Sequence, residues 1–408
     1  MTEIVAPALA AAAPDNWLAK RNALILALAQ GCSGFVISTN FIVGGLVGST
    51  LSSDQSQATL PITTMMVGTF LATLPMAMVM QRYGRRPGFI VGALAGIVGA
   101  LICVLAIERG SFALFCLGTH LCGYYGSSAN FYRFAASDTA SPSFRPTAIS
   151  WTLAGGLLAA LLTPEILSRT RELWLPFEAC FMASAVISGL GLLLVSLVRI
   201  PAPLRQAADA PSGRPLMEIV AQPRYLTALA AGTVAYGMMN LVMTATPLAM
   251  AACHYSPDTS SNAIRWHVLA MYVPSFFTGS LIARFGRIPM ALTGLVLLAG
   301  CGVIALSGIS IFDFTAAMVA LGLGWNFSYI SATTLVADCH TPEERGKAQA
   351  FNDLTVFGFV AITSYLSGRL LNSAGWTGVN LSIFPVVALV AALILLLPVL
   401  GKARKAGA

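Results

Sequence analysis

Four side chains with soft donor atoms stand in pairs, four residues apart, in two neighbouring apolar segments: Met239 with Met243, and His267 with Met271. Residues four apart share one face of a helix, so each pair predicts a two-ligand edge. If the two helices are antiparallel neighbours, Met243 and Met271 each lie about eight residues, roughly 12 Å, in from the same membrane surface. Because thioether sulfur selects Cu(I) and imidazole also binds copper, the pattern predicts a copper path.

Packing is the simpler explanation for methionines four residues apart in an apolar helix, and a histidine near a helix end is often an interfacial residue. Two observations favour a site. First, both pairs fall at matching depth. Second, the set of soft donors is confined to one half of the chain, since the positions equivalent to His267 and Met271 in the other half hold Met65 and Thr69. Met65, Cys253 and His254 are further candidates for relaying a metal ion, with a structural role for the cysteine as the alternative.

The elements that would position these donors are membrane-spanning helices. The chain has 408 residues, of which 57% are hydrophobic and 10% are charged. A soluble globular protein has about 25% charged residues, so this composition excludes a soluble protein. It also excludes a disordered chain and a nucleic-acid-binding protein. The nucleotide-binding pattern G-x-x-x-x-G-K-[ST] is absent from the sequence, so no nucleotide is expected as a partner.

A bilayer core of about 30 Å requires roughly 20 apolar residues per helix. The sequence predicts an all-α polytopic membrane protein in which twelve transmembrane helices form two six-helix bundles. The predicted helices are 22–47, 59–81, 88–107, 111–135, 147–168, 174–198, 224–252, 263–283, 288–308, 312–336, 349–371 and 378–400. The bundles are then 22–198 and 224–400, with a proline-rich linker at 199–223 and tails at 1–21 and 401–408.

Basic residues near the predicted helix ends set the orientation. With the N-terminus inside, eighteen Lys and Arg residues lie on the cytoplasmic side and five lie on the outer side. Cytoplasmic loops of membrane proteins carry an excess of Lys and Arg. Both termini are therefore expected in the cytoplasm, with the lipid bilayer as the permanent surroundings of the chain.

Two loops repeat between the halves. The segment RYGRRP at 82–87 returns as RFGRIP at 284–289, and an Asp-to-Arg segment at 138–145 returns at 338–345. These loops resemble the signature loops of the major facilitator superfamily, and the resemblance covers essentially the whole chain. The family pattern has an aspartate where this chain has Gln81 and Ala283, so the family's aspartate–arginine lock does not carry over. The candidate gating residues, for which topology anchoring is the alternative, are Arg85, Arg86, Arg287 and Arg345.

Acidic residues are missing from the predicted helices that would line a central cavity. The helices predicted at 22–47, 59–81, 224–252 and 263–283 contain neither Asp nor Glu. An acidic residue at membrane depth usually marks a proton or cation path. The carboxylates closest to a predicted span lie near helix ends, namely Glu165, Glu178, Asp313 and Asp353. The sequence therefore predicts neither proton coupling through a buried acid nor an organic-cation site.

Within this superfamily, M-x-x-x-M followed by H-x-x-x-M resembles the CcoA-type copper importers of bacteria. The resemblance implies a copper-binding site at Met239, Met243, His267 and Met271. It implies that copper, free or chelated, is the transported substrate, with no permanent cofactor and with downstream copper chaperones as partners. It further implies a role in assembling the cbb-type cytochrome oxidase. The chain is then expected to be a multi-pass transporter of the bacterial cytoplasmic (inner) membrane and not an enzyme.

Two other functions remain open from the sequence. The first is transport of a small organic solute or drug through an apolar cavity lined by aromatic residues, for which the candidates are Phe41, Tyr124, Tyr125, Tyr236, Trp325 and Phe327. The second is a membrane sensor or assembly factor that binds a metal ion without moving it. The first of these alternatives is the commonest role for this architecture.

Overall fold

The computed structural model describes residues 16–141, 144–200, 213–341 and 344–406, and these residues form helices and no strand. The helices are α1 Trp17–Leu51, α2 Leu60–Tyr83, α3 Arg85–Glu108, α4 Phe112–Ala129, α5 Tyr132–Asp138, α6 Arg145–Thr170, α7 Glu178–Ser196, α8 Leu216–Val220, α9 Pro223–Ala252, α10 Pro257–Tyr272, α11 Ser275–Phe285, α12 Arg287–Ser307, α13 Ile311–Ala337, α14 Arg345–Leu381 and α15 Ile383–Ala406. A short 3₁₀ helix, Gln55–Gln57, precedes α2. The predicted all-α fold is confirmed.

Nine helices among the described residues are long and apolar enough to cross a membrane, or ten when α10 and α11 count as one bent span. The predicted count of twelve is therefore still a prediction. The fourth predicted helix ends early, at Ala129, and the chain starts again as α5 at Tyr132. The eighth predicted helix is found as α10 and α11, which meet at a bend of 45° between Tyr272 and Ser275. Pro274 lies at this bend, where it lacks the N–H that a continuous helix needs.

The last two predicted spans also differ from the structure. Helix α14 continues to Leu381, through Gly375, whose φ of 64° marks a break inside the element. The segment between 371 and 378, predicted to separate two helices, is therefore helical on both sides of Gly375. A positive φ such as that of Gly375 costs glycine little. The predicted linker includes residues 201–212, which lie outside the described residues.

Close contact between helix backbones holds each half together. A Cβ added at Gly92 of α3 would overlap Ser128 of α4, and one added at Gly294 of α12 would overlap Ser328 of α13. Small residues allow such contacts, and they replace the hydrophobic driving force that helices lack in lipid. The same packing at equivalent positions shows that the duplicated loops join two equivalent helix bundles.

The duplicated loops carry equivalent ion pairs at one end of the molecule, which we call the basic end. The Nε atom of Arg85 lies 3.0 Å from Oδ2 of Asp138, and Arg287 pairs with Asp338 in the other half. Arg86 is exposed beside the first pair. The side chain of Arg345 lies outside the described residues. The ion pairs therefore join the loop after the second helix to the loop after the fourth in each half.

The chain just before α8 is fixed to the second half by one arginine. Arg214 binds Glu344 through two contacts of 2.8 Å, Nε to Oε1 and Nη2 to Oε2. Its Nη2 atom also donates to the carbonyl oxygen of Cys339 at 3.1 Å. The Arg214 guanidinium holds the pKa of the buried Glu344 carboxyl well below its usual range. The linker therefore ends against the loop between α13 and α14.

The turn between α11 and α12 provides a test of the backbone geometry. Gly286 has φ 90° and ψ 160°, a region that side chains other than glycine rarely occupy. We expect Gly286→Ala to lower the free energy of unfolding by about 1–3 kcal/mol because the alanine is strained there. Thermal unfolding of the purified protein in detergent measures the change. The matched control is Gly300→Ala, inside α12, where an added Cβ meets no atom within 4 Å; equal losses in the two variants would contradict the account.

Candidate functional site

A central cavity lies between the two bundles at mid-depth. It has an empty volume of about 940 Å³, counted with its opening to solvent. Its walls come from α1, α2 and α6 and the end of α4 in the first bundle, and from α9, α10 and α14 in the second. The cavity is therefore lined by side chains of both bundles, so a molecule bound in it would contact both.

Aromatic rings form the cavity wall of the second bundle. The ring centroid of Tyr236 lies 5.6 Å from that of Trp325, 5.3 Å from that of Tyr329 and 5.6 Å from that of Phe357. Trp325 and Tyr329 stack at 5.1 Å, and Tyr272 contacts Trp325 at 6.3 Å. We call these five residues the aromatic cluster. Tyr236, Tyr272 and Phe357 reach the cavity surface, where their rings can hold a flat aromatic ligand by stacked or edge contacts.

Neutral polar side chains supply hydrogen-bonding groups on the opposite wall. Gln30 and Ser38 project from α1, and Asn130 follows α4. Within the described part of the chain, no hydrogen bond to another protein group occupies these three side chains. Thr69 also lines the cavity, but its hydroxyl donates to the backbone carbonyls of Met65 and Gly123. An amide, a hydroxyl and a second amide are thus available to a ligand.

The structure brings together three of the four predicted soft donors. Met239, Met243 and Met271 line the cavity. His267 does not line it; the side chain is fully buried, and its Nδ1 atom lies 2.9 Å from the carbonyl oxygen of Met318 in α13. A carbonyl oxygen only accepts, so Nδ1 donates this hydrogen bond. The histidine therefore joins α10 to α13 inside the second bundle.

The predicted relay residues lie away from the cavity. Cys253 is half-buried and His254 is exposed in the turn that ends α9, where His254 has a φ of 63°. Met65 is fully buried, and its backbone carbonyl packs against Gly123 of α4. Among the residues that the structure describes, no group of three or more His, Cys, Asp or Glu side chains is arranged to hold a metal ion.

Two charged residues that the sequence did not predict as site residues lie close along the chain to residues that line the cavity. Arg133, in α5, follows Asn130 by three residues, and Asp353, in α14, precedes Phe357 by one helical turn. Both are half-buried. Asp353 and Phe357 are four residues apart and so share a face of α14, but only Phe357 lines the cavity.

Polar contacts join the two bundles at the end opposite the basic end, which we call the far end. Nη1 of Arg171 lies 2.6 Å from Oδ1 of Asp258. The hydroxyl of Thr63 in α2 donates to the hydroxyl of Ser364 in α14 at 3.3 Å. These contacts close the far end, and the cavity lies on the basic-end side of them.

A profile of the Major Facilitator Superfamily matches residues 26–264 and 228–407. The chain belongs to the Major Facilitator Superfamily. The prediction that this chain is a multi-pass membrane transporter, and not an enzyme, is confirmed. The superfamily resemblance of the duplicated loops is confirmed with it.

The chain is 44% identical over 399 residues to the riboflavin transporter RfnT of Brucella anthropi, across 97% of this chain and 98% of that protein. It is 28% identical to YddS of Bacillus subtilis, an uncharacterised transporter of the superfamily, across 90% of this chain and 88% of that protein.

Solved structures share the fold. The nucleoside transporter NupG superposes with a TM-score of 0.69 at 15% identity, covering 93% of this chain and 99% of that one. An inward-facing bacterial homologue of the human lysosomal transporter Spinster superposes with a TM-score of 0.67 at 14% identity, covering 93% of this chain and 97% of that one.

The prediction that this chain imports copper is wrong. A relative 44% identical over nearly the whole chain is named for riboflavin, an organic solute, and that finding overturns both copper import and copper as a partner. The predicted copper chaperones and the role in cytochrome oxidase assembly lose their basis with it. The alternative of a transporter for a small organic solute agrees better with this relative.

The far-end ion pair generates a test of cavity access. Asp258→Asn removes the charge that Arg171 contacts across the bundles, and exposed ion pairs contribute about 0–1 kcal/mol. We expect the far end to open about two to five times more often. The measurement is labelling of Ser38→Cys, in a Cys253→Ser background, by a membrane-impermeant maleimide added outside intact cells. The matched control is Glu172→Gln, because Glu172 contacts Arg171 at 3.1 Å within the same bundle; unchanged labelling in Asp258→Asn would refute a far-end gate.

Proposed function

We propose that this chain transports riboflavin, or a flavin closely similar to it, across the bacterial inner membrane by alternating access. The observation that carries the proposal is the 44% identity to a riboflavin transporter over 97% of this chain. Because the alignment covers 97% of this chain, it includes both bundles and the helices that form the cavity walls.

The chemistry of the cavity supports a flavin. Riboflavin has a flat three-ring system, polar carbonyl and nitrogen atoms along one edge of the rings, and a chain of hydroxyl groups. The aromatic cluster offers ring faces and edges to the flat system. The free amides of Gln30 and Asn130 and the hydroxyl of Ser38 offer donors and acceptors to the polar edge and the hydroxyl chain.

The methionines predicted as copper ligands have another use in this proposal. Met239, Met243 and Met271 lie on the cavity wall beside Tyr236 and Tyr272. A thioether is polarizable and makes favourable contacts with aromatic rings. The three side chains therefore complete an apolar surface around a flavin ring, with no formal charge and no metal ion required.

The arrangement of the two bundles supports alternating access. In transporters with duplicated bundles, the substrate binds at mid-depth between the repeats, and the bundles rock about that site. Here the bundles are in contact at the far end through Arg171–Asp258 and Thr63–Ser364. By the distribution of basic residues we propose that the far end faces outside, and that the contacts there belong to a state closed to the outside.

Counterflow in proteoliposomes tests the proposal without assuming a direction of transport. Vesicles containing the purified protein are loaded with unlabelled riboflavin and diluted into a trace of labelled riboflavin. We expect transient accumulation of label at least tenfold above protein-free vesicles, abolished by excess unlabelled riboflavin outside. Accumulation equal to that of protein-free vesicles would contradict the proposed function.

Replacing one ring of the aromatic cluster tests where the flavin binds. Tyr236→Leu keeps an apolar side chain but removes the ring that contacts three others of the cluster. Stacking on an aromatic side chain contributes about 1–3 kcal/mol per ring system, so we expect the half-saturating riboflavin concentration to rise by about five- to a hundredfold. Counterflow over a range of concentrations measures it.

The matched control is Phe115→Leu. Phe115 forms an edge contact with Phe181 at 5.2 Å in the first bundle and does not line the cavity. We expect this variant to lose stability while its half-saturating concentration stays within twofold of the native value. Equal changes in the two variants would place the flavin elsewhere.

A further inference from the structure

Asn326 of α13 binds both sides of the break between α10 and α11. Its Nδ2 atom donates to the carbonyl oxygen of Met271 at 2.6 Å and to the hydroxyl of Ser275 at 2.7 Å. The hydroxyl of Thr278 donates to its Oδ1 atom at 2.6 Å. A carbonyl oxygen only accepts, so the amide nitrogen must face Met271. Asn326 is fully buried, and both N–H groups and the oxygen of its amide are used within the protein.

The same face of α13 holds α10 at the two preceding turns. Met318, Gly322 and Asn326 are four residues apart and share a helix face. The carbonyl oxygen of Met318 accepts the 2.9 Å hydrogen bond from His267. A Cβ added at Gly322 would lie 2.5 Å from the carbonyl oxygen of His267 and 3.1 Å from the backbone nitrogen of Met271. Helix α13 is thus fixed against α10 before the break, and Asn326 extends the contact to α11.

The first half of the chain shows that a proline alone does not produce this break. Helix α2, which precedes the equivalent loop, contains Pro75 and still runs as one helix over Leu60–Tyr83. The equivalent of Asn326 in α4 is Gly126, since each stands two residues before the serine that packs against a glycine of the neighbouring helix. A glycine has no side chain with which to bind the turn. The break therefore occurs where Pro274 is combined with the amide of Asn326.

The bend sets the position of an aromatic ring in the cavity wall. Tyr272, the last residue of α10, lies at the bend and lines the cavity, as does Met271 before it. A Cβ added at Gly156 of α6 would lie 3.2 Å from the ring of Tyr272, so this ring packs against the opposite bundle. On its other side the ring contacts Trp325, the residue before Asn326, at 6.3 Å between centroids. The place of the ring thus depends on the direction in which the chain leaves α10.

We infer that Asn326 is a positioning residue for the flavin site, because it fixes the bend between α10 and α11 and so holds the ring of Tyr272 in the cavity wall. Asn326 itself does not line the cavity. The inference rests on the proposed function, since it names a residue that shapes the site for a flavin. It assigns to the bend the role of a fixed support rather than of a hinge.

A double-mutant cycle on riboflavin binding tests the inference. Binding to the purified full-length protein in lipid nanodiscs is followed by the loss of flavin fluorescence on contact with aromatic side chains. Asn326→Leu keeps an apolar group of similar volume and removes the amide, so we expect the dissociation constant to rise about tenfold. Tyr272→Leu removes the ring, and we expect a rise of similar size. The double variant should bind at most about threefold more weakly than Tyr272→Leu, because residues that act through one contact are not additive.

Additive losses in the cycle would overturn the inference, and so would a dissociation constant of Asn326→Leu within twofold of the native value. A second pair of variants serves if Asn326→Leu does not fold. Thr278→Val removes the hydroxyl that donates to the amide oxygen, and we expect about fourfold weaker binding. Thr278→Ser keeps a hydroxyl and should stay within twofold of the native value. Equal dissociation constants for the two Thr278 variants would overturn the inference.

The matched control for the loss of a buried amide is Asn380→Leu. Asn380 is fully buried in α14, donates to the carbonyl oxygen of Trp376 at 2.8 Å and does not line the cavity. We expect this variant to lose stability while its dissociation constant for riboflavin stays within twofold of the native value. Equal weakening in Asn380→Leu and Asn326→Leu would mean that the loss of any buried amide lowers binding, and it would overturn the inference.

Hydrogen–deuterium exchange of the ligand-free protein in nanodiscs tests the bend without any ligand. In Asn326→Leu we expect the backbone amides of 273–279 to exchange about fivefold faster than in the native protein, while those of 262–268 stay within twofold. Unchanged exchange at 273–279 would overturn the inference. Failure of the native protein to bind riboflavin would refute the proposed function, and the exchange rates would still decide whether Asn326 fixes the bend.

Discussion

The structure depends on the close approach of helix backbones inside each bundle. In lipid, helices gain little from burying apolar side chains, so association relies on small residues that let backbones touch. Gly92 against Ser128 and Gly294 against Ser328 provide this contact at equivalent places in the two halves. These contacts hold the helices of each bundle together. The contacts between the bundles are of another kind, an exposed ion pair and a few hydroxyl hydrogen bonds at the far end, and these can form and break as the bundles move.

The two bundles contribute different chemical groups to the cavity. The second bundle supplies the aromatic cluster and the methionines, and the first supplies free amide and hydroxyl groups. An aromatic solute with polar edges can contact both bundles at once, so its binding can favour a particular arrangement of the two.

Much of the fold could be predicted from the sequence because it depends on local composition. Apolar segments of sufficient length predict helices, and the repeated RYGRRP and RFGRIP loops predict two equivalent halves. The site was harder to predict from the sequence, because spacing shows which residues share a helix face but not which neighbouring helix that face contacts. His267 and Met271 share a face by spacing, yet His267 donates to the Met318 carbonyl while Met271 reaches the cavity.

The central claim is that a flavin lies against the aromatic cluster between the two bundles. An electron cryomicroscopy map of the protein in nanodiscs with saturating riboflavin tests it most directly. The account predicts flat density in contact with Tyr236 and Phe357 on one side and reaching Gln30 or Asn130 on the other. Flavin density outside the cavity, or an empty cavity at saturating riboflavin, would contradict it.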